Sequence, residues 1–360
     1  MTDIRICEPE LLARRGFNGF YRHFLSALVE RAGARPTDAP RPLPRLMRPR
    51  EHESCWVRWG AHWAFFDMSD HVQLFDLEAL KLCAVYFKAN LHRDLAGRVL
   101  REAGLAEHKS KLAPFLFFSE GLADFERDFR RRRFWRLDKP NCDVCFVMGV
   151  YENPVRDGGR SPFEHADVPM TPAACHFWIR WHALQAMREA GIPGYYRLTS
   201  RANRALEDGV HVHGNLNRRE FSRRISAGRI TTVCTFPHAL FPWKASESFA
   251  LGRPILIEQA PLTETPAPFM PAAGEHFLEW LPGAGDFDAA APLEDPASYR
   301  VLARIPLARF RARAEWLRDV LRDRERLAAM GAACRAFAAR AYAPQTVADY
   351  ICAETEKRIG

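Results

Sequence analysis

Two groups of residues in this chain have the types and spacing to do chemistry. The first is Lys244 with Glu247 three positions on, inside the run Cys-Thr-Phe-Pro-His-Ala-Leu-Phe-Pro-Trp-Lys-Ala-Ser-Glu-Ser-Phe-Ala-Leu-Gly-Arg-Pro-Ile-Leu-Ile-Glu at 234–258. A cation at the start of a helix adds to the partial positive charge of the free N–H groups there and suits a diphosphate; a carboxylate one turn later can accept both hydroxyls of a pentose. The second is Asp67-Met-Ser-Asp70, flanked by His62 and His71. One of its carboxylates can take a proton from a hydroxyl while a neighbour holds it in position. Both groups also fit plain structural roles. Glu247 can lie in solvent on an amphipathic helix with Gly252 as its C-cap, and either aspartate can cap the helix that follows. The residues alone leave these alternatives open.

The elements that must position these groups can be followed from the hydrophobic pattern. A strand over Ile230 to Cys234, a Pro-containing loop, a short helix opening near Trp243, a stop at Gly252 and a strand from Pro254 to Ile257 make one strand-helix-strand unit. In an open parallel sheet, ligands sit at the carboxyl ends of the strands, which is where Lys244 and Glu247 fall. Upstream, the same rhythm predicts strands at Asp143–Val150, Gly194–Leu198 and Leu206–Gly214, with helices at Cys175–Ala190 and 215–226. This is the alternation of a parallel sheet with crossover helices. The N-terminal part predicts a strand at Ile4–Cys7, a Gly-Phe-Asn-Gly turn at 16–19, a helix at Phe20–Ala32, two short apolar strands ending at Asp67 and Asp70, and a buried strand at Leu112–Phe118. Residues 33–54 are Pro- and Arg-rich and irregular. The four arginines Arg130 to Arg133, with Arg136, fit the solvated end of a helix at 122–136 better than a phosphate or membrane site. Three helices are expected to close the chain, over Leu307–Met330, Ala332–Ala341 and Gln345–Arg358.

The order basic residue, gap, Glu, small helix, Leu-Gly-Arg-Pro-Ile, here Lys244, Glu247, Leu251, Gly252, Arg253 and Pro254, is similar to the donor-binding motif of GT-B glycosyltransferases. A lysine stands where such families often have arginine. It is one of only 7 lysines against 45 arginines, so composition does not account for it. The Asp-x-x-Asp at 67–70 followed by Tyr86-Phe-Lys88 resembles, more loosely, the N-terminal halves of some bacterial members. The resemblance implies an α/β chain of two Rossmann-like domains facing a cleft: an acceptor domain at 1–138, a nucleotide-sugar domain at 139–340, and a bracing C-terminal helix at 341–360 that returns to the first domain. It also implies a donor site of His213, Gly214, Arg218, Lys244, Glu247 and Ser248, with Asp67 or Asp70 as catalytic base if the reaction inverts the anomeric centre. No cofactor and no metal are implied, the nucleotide sugar being substrate. The expected activity is transfer of a sugar to a saccharide or other hydroxyl acceptor, glycan or lipid-linked, as in bacterial surface polysaccharide synthesis. Two rivals remain: a sugar-nucleotide epimerase or polyol-phosphate transferase on the same fold, and a non-catalytic basic protein that binds polyanions.

The composition sets the outer bounds. With 360 residues, 48% hydrophobic and 27% charged, the chain can fill two cores. No apolar run reaches membrane-spanning length and the first residues lack a signal peptide's apolar segment, so a cytoplasmic protein is expected, with peripheral contact to the inner membrane face as a further expectation. Nine scattered cysteines read as free thiols, and Cys142-Asp-Val-Cys145 as part of a strand without the second pair that zinc would want. The net charge of +8 permits anionic partners. Ten arginines against four acids between 301 and 340 put much of that charge near the end of the chain. No helix-turn-helix or RNA-binding signature is present, and no nucleic-acid partner is expected.

Overall fold

The structure, a computed structural model, describes residues 2–13, 20–37, 42, 54–69, 72–118, 122, 140–150, 159–169, 172–199, 204–205, 211–213, 216–234, 241–283 and 305–360. The Gly16–Gly19 turn, Asp70, His71, Arg130 to Arg133, Arg136 and Gly214 lie outside them. The chain is a mixed α/β protein that divides into two compact units, Met1–Arg132 with Thr263–Met270 and Phe337–Gly360, and Arg133–Leu262 with Pro271–Ala336.

The first unit contains β1 (Ile4–Ile6), α1 (Glu10–Ala13), α2 (Phe20–Ala32), β2 (Arg35–Pro36), β3 (Ser54–Trp59), β4 (His62–Asp67), α3 (Leu77–Leu82), β5 (Val85–Lys88), α4 (Arg93–Glu102) and β6 (Leu112–Pro114). The strands form one sheet in the order β2-β1-β3-β4-β5-β6, parallel at β4-β5-β6 and antiparallel where the β3-β4 hairpin joins β1. Side chains alternate across it, as the two-residue period of a strand requires. Phe65 and Tyr86 pack with Ala79, Leu80, Ala96 and Leu100 of α3 and α4. Phe66 and Phe87 stack 4.6 Å apart on the other face, where Phe24 of α2 and Phe115 meet them. The expected strand at Leu112–Phe118 is shorter than its apolar run. Its pairing to β5 ends where the Phe115 N–H donates to the Lys88 carbonyl at 2.8 Å, and Phe115 to Phe118 stay buried past the end of the strand.

The second unit contains β7 (Cys142–Gly149), α5 (Pro172–Glu189), β8 (Gly194–Thr199), β9 (Arg204–Ala205), β10 (His211–His213), α6 (Arg218–Ala227), β11 (Gly228–Thr232), α7 (Trp243–Ala250), β12 (Ile255–Ile257), β13 (Phe277–Glu279), α8 (Leu307–Arg322) and, crossing into the first unit at its end, α9 (Arg324–Ala341). Its sheet runs β13-β12-β11-β7-β8-β10-β9, all parallel except the edge strand β9. Counting the six parallel strands in chain order, this is 3-2-1-4-5-6, the doubly wound order of dinucleotide-binding sheets, and it reverses between β7 and β11. Helices cover both faces. Val144, Phe146, Met148 and Tyr196 pack with α5 and α8, whereas the guanidinium of Arg224, on α6, lies 4.0 Å from the ring of Tyr195 on the opposite face.

The chain's last helix is α10 (Pro344–Ile359), which packs on α2 in the first unit. Its Tyr350 hydroxyl donates to the Pro114 carbonyl, and the Arg358 guanidinium donates to the carbonyls of Leu112 and Ser110. The helix break expected at Gly331 is instead at Asp323, and Gly331 is inside α9. The reason is contact: a Cβ on Gly331 would lie 2.7 Å from the carbonyl oxygen of Gly252, so the glycine is there for close approach and not as a stop. Some of the arginines in this part of the chain also have structural partners. Arg313 donates to the carbonyls of Glu279 and Trp280 and stacks on Trp316, and Arg311 pairs with Glu189.

Candidate functional site

The carboxyl end of β7 gathers polar side chains from three neighbouring elements. α7 begins with Pro242 at its N-cap, which brings no side-chain acceptor to the first turn, and ends at Gly252, held at φ +66° as an αL stop. Lys244, its second residue, is half-buried. Its Nζ donates to the Val147 carbonyl at 2.5 Å and lies 3.7 Å from the Met148 sulfur. Burial brings its pKa down to about 8. Among the described residues it forms no ion pair.

Arg180, from the middle of α5, is 9% exposed and donates to the carbonyl of Gly149, the last residue of β7. Thr199 takes the Met148 carbonyl between them at 3.3 Å. Cys234, just past β11, is hydrogen-bonded to both Arg180 and Glu258, and burial pushes its thiol up to about 12. Glu258, the first residue after β12, is buried and is felt electrostatically by Lys244. Lys244, Arg180, Cys234 and Glu258 therefore meet at the point where the strand order reverses, the usual place for a ligand in an open α/β sheet. Arg180 and Glu258 were not legible as site residues in the sequence. Arg180 stands in the apolar run Phe-Trp-Ile-Arg-Trp, and that a charged residue should sit mid-stripe was the one available signal.

Glu247 and Ser248 are both wholly buried. The Glu247 carboxylate accepts from the Ser222 hydroxyl on α6 at 2.6 Å, and the Ser248 hydroxyl donates back to the Lys244 carbonyl at 2.9 Å. The structure thus separates the two halves of the expected motif. Lys244 reaches the end of β7, while Glu247 ties α7 to α6. His213 closes β10, and Arg218 opens α6, which is capped by the Asn217 side chain on the Glu220 N–H.

In the first unit, Asp67 ends β4 in register with Lys88, which ends β5. Its Oδ2 accepts from Lys88 Nζ at 2.9 Å and from the Tyr86 hydroxyl at 2.6 Å, and its Oδ1 accepts from the Ser69 N–H. Lys88 is fully buried and also donates to the Ser69 hydroxyl at 2.6 Å. Burial, with the Asp67 charge beside it, holds the Tyr86 phenol well above its usual range, so it stays protonated and donates. The cap on α3 is Asp76, bound to the Ala79 N–H, and not Asp67. Cys142 and Cys145 lie in β7 as free thiols, and among the described residues no group of three or more His, Cys, Asp or Glu could hold a metal. No helix of the described residues is long and apolar enough to cross a membrane.

No protein family model matches the chain, and no curated protein matches it. Among solved structures it is similar to the crystal structure of Anabaena Alr3699/HepE in complex with UDP-glucose, over 80% of this chain and 71% of that one, at 10% identity and a TM-score of 0.42. It is also similar to the complex of the same protein with UDP and glucose, over 81% and 70%, at 12% identity and a TM-score of 0.40. Likeness at this level is distant.

Proposed function

We propose that this protein is a glycosyltransferase that takes its sugar from a nucleotide-sugar donor. One observation carries the reading: Lys244, with no ion-pair partner among the described residues, stands at the strand-order reversal beside the N-terminus of α7. A cation and free N–H groups at that point suit a diphosphate. The likeness of Lys244, Glu247 and Leu251 to Pro254 to the donor motif of GT-B enzymes supports the choice of a sugar nucleotide among diphosphates. In the proposed reaction an acceptor hydroxyl oxygen bonds to the anomeric carbon, the bond from that carbon to the diphosphate oxygen breaks, and the hydroxyl proton passes to a base. Lys244 and the first turn of α7 take up the charge that develops on the departing diphosphate.

Within this reading His213, Gly214 and Arg218 contribute to the donor site, with Ser248 fixing the turn that carries Lys244. Glu247 takes the pentose by exchanging the Ser222 hydroxyl for those of the ligand. Asp67 has its oxygens occupied by Lys88, Tyr86 and Ser69, which favours Asp70 as base if the reaction inverts. The acceptor is a glycan or lipid-linked hydroxyl, and the chemistry needs no metal. The test is a thermal-shift screen against UDP, GDP, CMP and TDP sugars, followed by product detection with mixed saccharide acceptors. One class should raise the melting temperature, and Lys244→Met should abolish that rise. A chain whose melting is indifferent to all four classes is not this enzyme.

A further inference from the structure

The end of β7 carries a second cation that the donor motif does not contain. Arg180 comes from α5, on the sheet face opposite α6, and its guanidinium accounts for only part of its hydrogen-bonding capacity. One nitrogen donates to the Gly149 carbonyl and one contact goes to the Cys234 thiol, while Nε is buried with no partner. Arg180 forms no ion pair among the described residues, and neither does Lys244. The carboxylate of Glu258, in the same cluster, is hydrogen-bonded to Cys234, so among the described residues two cations share one acid here. A buried arginine with an unused donor stands next to a lysine whose Nζ meets a carbonyl, a sulfur and the Phe221 ring at 5.8 Å, and both share the single carboxylate of Glu258, less compensation than buried charges normally have.

We infer that Arg180 is a ligand-binding residue which, with Lys244, holds the two phosphates of one diphosphate at the carboxyl end of β7. This deepens the proposed function and rests on that reading for the identity of the rest of the ligand. The planar guanidinium suits two oxygens of one phosphate, and the ammonium, a point charge, suits the other. The clamp therefore selects for two linked phosphates over one.

The experiment measures binding of inorganic pyrophosphate and inorganic orthophosphate by calorimetry at pH 7, to the wild-type chain, Arg180→Gln, Arg180→Lys and Lys244→Met. Pyrophosphate is expected to bind the wild type at least tenfold more tightly than orthophosphate. Arg180→Gln is expected to remove that preference, and Arg180→Lys to restore part of it. This pattern supports the clamp even if no nucleoside diphosphate binds more tightly than pyrophosphate, in which case the nucleotide-sugar reading falls alone. Pyrophosphate binding that Lys244→Met abolishes and both Arg180 variants leave intact overturns the clamp and spares that reading. Equal affinity for the two anions, equal loss of both in Arg180→Gln, or no binding of pyrophosphate to the wild type also overturns it. Should the Arg180 variants fail to fold, wild-type crystals soaked in pyrophosphate decide. The anion within hydrogen-bonding distance of the Arg180 guanidinium supports the clamp, and the anion elsewhere or absent ends it.

Discussion

Each of the two sheets ends a parallel strand beside a lysine withdrawn from solvent, and the two lysines are treated in opposite ways. Lys88, at the end of β5, is fully buried and meets Asp67 at 2.9 Å, with Tyr86, Ser69 and Asn90 completing the network around the pair. Lys244, at the end of β7, is half-buried and meets a carbonyl and a sulfur, with Arg180 adding a second positive charge. The first edge has balanced its charge internally and has nothing left to offer an anion. The second withdraws two cations, Lys244 and Arg180, from solvent and, among the described residues, sets one carboxylate, that of Glu258, near them. Unmet charge of that kind marks a functional site far more specifically than the presence of a charged residue does.

The most forceful way to break this comparison is Asp67→Asn. If the first edge is self-neutralised, the variant strands the Lys88 ammonium in a closed interior and should lose about 3–5 kcal/mol of stability, read from urea unfolding. Asp67→Asn with Lys88→Met should recover most of that loss, because both charges are then gone. A single variant that unfolds at the wild-type urea concentration would mean the pair is not what balances this edge.

The matching change on the second edge should go the other way in stability and cost function instead. Burial lowers the Lys244 pKa from 10.5 to about 8, so the folded state disfavours its charged form. That penalty is complete below about pH 8 and disappears as pH rises toward 10.5, where the unfolded chain also releases the proton. Methionine carries no such penalty. Lys244→Met should therefore gain about 2 kcal/mol at pH 7, once the solvent still reaching the ammonium is allowed for. The gain should shrink between pH 8 and 10.5, while affinity for the diphosphate ligand falls about a hundredfold.

How much of this contrast the sequence could carry depends on how local each feature is. Lys244, the short helix and its glycine stop are consecutive in the chain, and the strand-helix-strand rhythm places them at a carboxyl end without further information. The α2 helix is likewise legible from its own apolar spacing. Asp67 and Asp70 could not be told apart, because the role of Asp67 is fixed by the register of β4 against β5, which sets it opposite Lys88 across a gap of 21 residues. Arg180 was hidden for a related reason. Its partner Gly149 is 31 residues away, and α5 is apolar on so much of its surface that no face declares itself. Gly331 reads as a break in the sequence because a glycine that permits close contact and one that stops a helix look identical until the contacting backbone is in place.

A milder test concerns protons. If the ligand needs the Lys244 ammonium, affinity should be flat below about pH 8 and fall about tenfold per unit above it, as the free protein loses that proton. Lys244→Arg cannot lose its charge in this range and should bind with no such decline. A wild-type profile that stays flat to pH 9.5 would separate the ligand from Lys244 and leave the second edge without its role.

The smallest expected effect bears on Glu247, where the second unit imitates the self-satisfied manner of the first. The Glu247 carboxylate is closed off and takes the Ser222 hydroxyl at 2.6 Å, so as it stands it braces α6 against α7. Ser222→Ala removes that donor and should cost about 1 kcal/mol of stability. The sign of its effect on binding is the informative part. If pentose hydroxyls replace Ser222 on the carboxylate when a nucleotide arrives, the variant no longer competes with the ligand and should bind a nucleoside diphosphate severalfold more tightly. Pyrophosphate, which has no pentose, should bind it as it binds the wild type. Equal nucleotide affinity in the two proteins would keep Glu247 as a brace between helices, and the contrast between the two edges would then rest on Lys244 and Arg180 alone.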